Sequence, residues 1–130
     1  MAGTVTKTRA SNFAGENREI VWTLDILSAA DGSADTTIVG MKGWFLKEVQ
    51  TVPDAGATQP DASYTGSITD ADGGELLEIP ARSQTAKEYI GGHESLGYSP
   101  KIDGTITITM AGMGSANGTT MMLRFEKEAA

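Results

Sequence analysis

The stretch GTITITMAGMGSANGTTMMLRF, residues 104–125, alternates strictly, passes through Gly, Ala, Ser and Asn, and then alternates again. Ile106, Ile108 and Met110 share one side of the first run, with Ile102 just before it. Met121, Leu123 and Phe125 share one side of the second. Thr105, Thr107 and Thr109 take the opposite side, with Thr120, Arg124 and Glu126. A period of two residues is the spacing of a strand with one buried face. The pattern therefore predicts two strands joined as a hairpin. A threonine face is good β surface and meets water or a neighbouring subunit equally well. The loop holds no catalytic acid or base, so the element reads as scaffold.

The same period extends outward from this stretch. In EIVWTLDIL, residues 19–27, Ile20, Trp22, Leu24 and Ile26 share a face. Glu19, Thr23 and Asp25 share the other, together with Val21 and Leu27. TTIVGMKGWFLKEVQTV, residues 36–52, is apolar on both parities: Ile38, Trp44, Leu46 and Val52 on one, Val39, Met41, Phe45 and Val49 on the other. Gly40 and Gly43 inside it predict one long bent strand or two short ones. PDAGATQPDA, 53–62, is a loop by composition. SYTGSITD, 63–70, is a strand with Tyr64 and Ile68 on one side, and residues 48–69 together read as a hairpin with a long loop. DADGG, 70–74, is a turn, and ELLEIP, 75–80, a short strand ended by Pro80. Thr85 and Glu88 in TAKE match a capping box and predict a single helical turn that Gly91 and Gly92 stop.

Six or more strands with Gly/Pro turns and almost no helix define an all-β chain. The expected architecture is a single-domain β-sandwich or jelly-roll-like barrel over residues 17–126. A short N-terminal arm, 1–16, precedes it, and a C-terminal tail, 127–130, follows.

Composition narrows the function. The 130 residues suit one domain, the net charge is −7, the pI is about 4.5 and cysteine is absent. Between Asp25 and Glu94, 12 acids face Lys42, Lys47, Arg82 and Lys87, a balance of 4 − 12 = −8. Phosphate contact needs a basic face, so direct nucleic-acid binding is not expected. Lys7, Arg9 and Arg18 face Glu16 alone in the first 18 residues, a mildly basic arm on an acidic body. No apolar run approaches the ~20 residues of a membrane span. The start MAGTVTKTRASNF lacks the apolar core of a signal peptide, which predicts a protein made and assembled in a cytoplasm.

Motifs for chemistry fail on inspection. His93 is the single histidine, and HESLG has it where the nucleophile elbow requires glycine. DADGGE starts like a calcium loop, but Gly74 stands at the fifth position and Glu75 at the sixth. GMGSANG joins two strands, has Asn117 in place of the last glycine of a phosphate-binding loop, and opens no helix. Acids are plentiful enough for a glycosidase pair, but the aromatics that floor a sugar cleft are few. Trp22 and Trp44 fall in strands and read as core. No catalytic, cofactor-binding or metal-ligating residue is therefore expected, and the chain reads as a non-enzyme without a cofactor.

As a whole, residues 17–126 resemble a group of small all-β virion proteins of tailed bacteriophages. The resemblance is carried by EIVWTLDIL, by GWFLKEVQTVP with its Pro-rich loop, by SYTGSITDADGGELLEI, and by IDGTITITMAGMGSANGTTMMLRF. The run 81–99 and the first 13 residues depart most from it. The resemblance implies a structural virion protein, foremost a capsid decoration (cement) protein bound to the head exterior, with the major capsid protein as partner and a homotrimer as its form. Head–tail joining or tail proteins are the near alternatives it implies. A carbohydrate- or surface-binding β-sandwich module is the non-viral alternative, and it would require exposed aromatics such as Trp44. The β-branched arm TVTKTR suits strand addition to a neighbour's sheet edge. Thr4, Val5, Lys7, Arg9 and Phe13 are thus the expected subunit or capsid contacts. The apolar surplus at Val21, Leu27 and along 38–52 is expected to lie between copies.

Overall fold

Strand-forming sequence becomes two antiparallel sheets in the computed structural model, which describes residues 3–12, 17–71, 74–91 and 101–128. The strands are β1 (Thr4–Asn12), β2 (Asn17–Leu27), β3 (Ala34–Ile38), β4 (Phe45–Pro53), β5 (Tyr64–Thr69), β6 (Glu75–Arg82), β7 (Glu88–Gly91), β8 (Ile106–Ala111) and β9 (Gly118–Glu128). One sheet has the order β1-β2-β9-β4-β7 and the other β3-β8-β5-β6. Their inner faces meet in a β-sandwich, as the alternation predicts. Ile20, Leu24 and Ile26 from β2 and Met121, Leu123 and Phe125 from β9 supply one wall of the core. Ile38, Ile68, Ile79, Ile106, Ile108 and Met110 supply the other.

The predicted hairpin at 104–125 does not form. β8 and β9 lie in different sheets and face one another across the core. Alternation says which side of a strand is buried, and an arch between sheets satisfies it as well as a hairpin does. The loop decides the outcome. Gly112, Gly114 and Ala116 have φ of 74°, 86° and 54°, a left-handed series that turns the chain out of one sheet and into the other. Met113 is fully buried within the loop and plugs that end of the core. Its N–H donates to Gly32 O at 3.0 Å, and its carbonyl accepts Asp61 N–H and Asn117 Nδ2–H, each at 2.9 Å. Ser28 completes the knot: its hydroxyl donates to Gly114 O and accepts Asn117 N–H at 3.0 Å.

The predicted hairpin over 48–69 is likewise an arch, since β4 and β5 belong to opposite sheets. β5 and β6 do pair as a hairpin. β6 continues through Pro80 to Arg82. It is the outer strand of its sheet, where proline's missing donor costs no ladder bond.

Residues 36–52 form two strands rather than one bent strand. Gly40 and Gly43, at φ 75° and 88°, flank the crossover from β3 to β4. The register shift between Leu46 and Glu48 is a bulge, and it moves burial from even to odd positions, from Leu46 to Val49 and Thr51. The bulge absorbs part of the apolar surplus. Val39 stays 73% exposed and Leu27 40%.

The helical turn expected at 85–88 is absent. Ser83 Oγ accepts Thr85 N–H at 3.2 Å and Ala86 N–H at 2.9 Å, and Glu88 reaches back to Ser83 N–H. These bonds make a bend, and Glu88 enters β7 and pairs with Thr51. Strand pairing wins over one marginal turn of helix.

The arm is also placed differently from the expectation. β1 is extended, but it pairs along its whole length with this chain's own β2, from Thr4↔Leu27 to Asn12↔Glu19. Residues 127 and 128, expected in a tail, belong to β9.

One polar tie crosses the core. Thr119 Oγ1 donates to Val52 O at 3.1 Å and lies 2.9 Å from Tyr64 Oη. The threonine's single proton is used on the carbonyl, so the tyrosine is the donor in the second bond. Tyr64→Phe is expected to cost about 1 kcal/mol, the net worth of one buried hydrogen bond. Thr51 is the contrast: it is buried, and its hydroxyl has no partner among the described residues. Thr51→Val removes that unmet group and is expected to gain about 1 kcal/mol. Urea unfolding of both variants checks the pair, and shifts of equal sign would refute it.

Candidate functional site: the outer face of the five-stranded sheet

Residues directly opposite in an antiparallel pair share a face, so register alone maps the outer side of the five-stranded sheet. On β2 it carries Val21, Thr23, Asp25 and Leu27, and on β1 Thr4, Thr6, Thr8 and Ala10. On the central strand β9 it carries Thr120, Met122 and Arg124. On β4 and β7 it carries Phe45, Gln50, Val52 and Tyr89. Val21, Phe45, Val52 and Met122 are half-buried, and Tyr89 is 55% exposed. The face is therefore a mixture of apolar, threonine and charged side chains that extends over five strands.

Arg124 organises its charge. Nη1 lies 2.8 Å from Glu126 Oε2 and 3.5 Å from Glu19 Oε2, and Nη2 lies 4.0 Å from Glu48 Oε2. The four side chains come from β2, β4 and β9, and register brings them together. They are about one-third exposed, so each pair is worth roughly 0–1 kcal/mol to stability. One guanidinium against three carboxylates leaves the centre of the face acidic.

The residues expected to make contacts sit at the rim. Thr4 is on the outer face of β1, and Val5 packs half-buried against the core. Lys7 Nζ donates to Thr37 O of β3 at 2.6 Å and clasps the two sheets along their open side. Arg9 is exposed opposite Trp22, where it too makes an interaction. Phe13 lies outside the described residues. An edge strand with inward-facing charges is protected against casual pairing. The arm therefore serves this chain's own sheet before any neighbour's.

Two contributors to the face escape the sequence reading. Tyr89 falls in the irregular run 81–99, where no alternation marks it. Met122 sits beside Met121, and its opposite phase to Met121 and Leu123 is the signal that places it outside.

Among the described residues, the groups weighed for chemistry gather into no metal site. Asp70 Oδ1 accepts Gly74 N–H at 3.1 Å and closes the β5–β6 turn on itself. No group of three His, Cys, Asp or Glu side chains suited to a metal ion occurs among the described residues. The hydroxyl and amide of Ser33 hold the Asp31 carboxyl below the usual carboxylate range, in a fully exposed turn. His93 and Ser95 lie outside the described residues. Trp44 is 8% exposed, Trp22 is half-buried, and Tyr64 and Phe125 are fully buried. Both tryptophans thus pack with the core, as expected, although Trp44 stands just before β4 and not in a strand.

No family model and no curated protein matches the chain. Among solved structures, the fold is similar to CBM27-1 of Caldicellulosiruptor saccharolyticus in complex with mannohexaose, with a TM-score of 0.50 and 11% identity over 93% of this chain and 81% of that one. A structure described as "CBM4 structure and function" matches at a TM-score of 0.40 and 13% identity, over 78% of both chains. A chain of infectious bursal disease virus, Gx strain, matches at 0.31 and 10%, over 97% of this chain and 32% of that one. At such identities the first likeness supports the β-sandwich fold and nothing finer.

Proposed function

We propose that this chain is a structural virion protein of a tailed bacteriophage, a decoration protein that binds the head from outside and works by contact, without catalysis. The observation that carries the reading is the outer sheet face, which partly exposed Val21, Phe45, Val52 and Met122 share with exposed Tyr89. The resemblance of residues 17–126 to phage virion proteins supports it. So does the net charge of −7, which suits the side of a shell away from packaged DNA. A decoration protein stabilises the shell by linkage, because whatever binds the assembled state makes it harder to take apart. A homotrimer on the major capsid protein is the arrangement we propose.

Electron microscopy of purified virions tests this reading. The expected result is density in many copies over the head exterior. Density confined to the neck or tail replaces decoration with joining or tail structure. A sugar-binding module of the same fold is the second reading, favoured by exposed Tyr89 on the same face. Saturable binding of mannohexaose that Tyr89→Ala abolishes, with no density on virions, would establish it instead.

A further inference from the structure

The described part of this acidic chain gathers three of its lysines at one corner. A recess of about 330 Å³ is lined by Lys42, Gly43, Lys101, Ile102 and Asp103. Two backbone bonds frame it: Gly43 N–H donates to Ile102 O at 3.0 Å, and Ile102 N–H to Trp44 O at 2.8 Å. Lys127 reaches the same place from β9. Its Nζ sits 5.9 Å from the centre of the Trp44 ring and 3.7 Å from where a side chain at Gly43 would begin. Gly43 has φ +88°, a conformation that favours glycine, and a side chain there would begin in van der Waals contact with the end of Lys127. Lys101 forms a bridge with Phe45, so the corner adjoins the outer sheet face.

The charges there are uncompensated within the described structure. Among the described residues, no carboxylate comes within ion-pair distance of Lys42, Lys101 or Lys127. Asp103 is the one acid in the lining, beside Lys42 and Lys101, with Lys127 next to it at Gly43. Like charges gathered at one corner repel one another, and an anion bound there offsets that cost. Elsewhere the acids prevail, since the chain carries 17 Asp and Glu against 10 Lys and Arg. That excess disfavours a polyanionic nucleic acid and leaves a single inserted carboxylate as the fitting anion.

We propose that this recess receives an acidic side chain of a protein partner, held by Lys42, Lys101 and Lys127 beside the apolar contact at Phe45. The proposal rests on the reading above for the partner's identity as a shell protein. The recess itself is tested without a phage.

The full-length, ¹⁵N-labelled chain is titrated with an end-capped peptide that carries a single glutamate and, separately, with inorganic phosphate. The expected result is saturable shifts at the Gly43, Ile102 and Asp103 amides with the peptide. The affinity should weaken at least tenfold in Lys42→Gln/Lys101→Gln and stay unchanged in Lys87→Gln, which removes a lysine that does not line the recess. No shift, equal affinity in the double variant, or phosphate binding as tight as the peptide overturns the assignment. Failure of the recess is separable from failure of the function. Head binding lost in Met122→Glu but kept in the double variant preserves decoration and removes the recess from it. Peptide binding by a chain absent from phage heads does the reverse.

Discussion

Phe125→Ala lowers the folding stability by about 3–5 kcal/mol, the usual cost of emptying a large aromatic site in a core. Phe125 is fully buried on β9, the central strand of the five-stranded sheet. Ile20 flanks it from β2 and Leu46 from β4, and both are buried. A side chain fixed by strands on both sides and by a second sheet above cannot be replaced by local collapse. Total stabilities of domains run to about 5–15 kcal/mol, so this one change removes about a fifth or more of the total. Urea unfolding measures it as a large fall in midpoint. A loss below about 1 kcal/mol would mean that the inner side of β9 does not face the core.

Met122→Glu is expected to leave the fold intact and to remove the proposed binding to a shell. Met122 is one position from a fully buried neighbour on each side, yet it points outward, between Thr23 and Gln50. It lies on the middle strand of the proposed contact face, and binding energy concentrates near the centre of an interface. A glutamate there must give up its water to sit against the partner, two residues along β9 from Arg124 and its three carboxylates. The expected loss is about 3 kcal/mol or more, over a hundredfold in affinity, against less than about 1 kcal/mol in stability. Co-sedimentation with heads stripped of the protein reads the first quantity and thermal unfolding the second. Undiminished co-sedimentation would move the contact from this face to the edges or loops.

The parts of the molecule legible in the sequence are those that one strand decides for itself. Ile106, Ile108 and Met110 are inward because their own alternation says so, and likewise Met121, Leu123 and Phe125. Which strand each one pairs with is a property of the loop between them. Residues 112–117 look like hairpin turn residues, and their left-handed series with buried Met113 makes an arch. The same holds for 36–52. Two parities of apolar residues read as a surface surplus until the bulge after Leu46 brings Val49 inward. The candidate face was legible in part, at Val21, Leu27, Phe45 and Val52. Tyr89 and the Arg124 cluster depend on register between distant strands, and no single-strand pattern carries that. The recess depends on Gly43 and Lys127, which are far apart in sequence and meet only at the corner of the sandwich.

The central claim is that this protein reinforces a phage head from outside. It is tested by comparing virions that lack the protein with complete virions and with deficient virions to which the purified chain has been added back. DNA release is followed on heating and on titration with a chelator. The account predicts release at lower temperature and lower chelator concentration from the deficient particles. It predicts recovery with the wild-type chain and none with Met122→Glu. Deficient and complete particles releasing DNA together would contradict it.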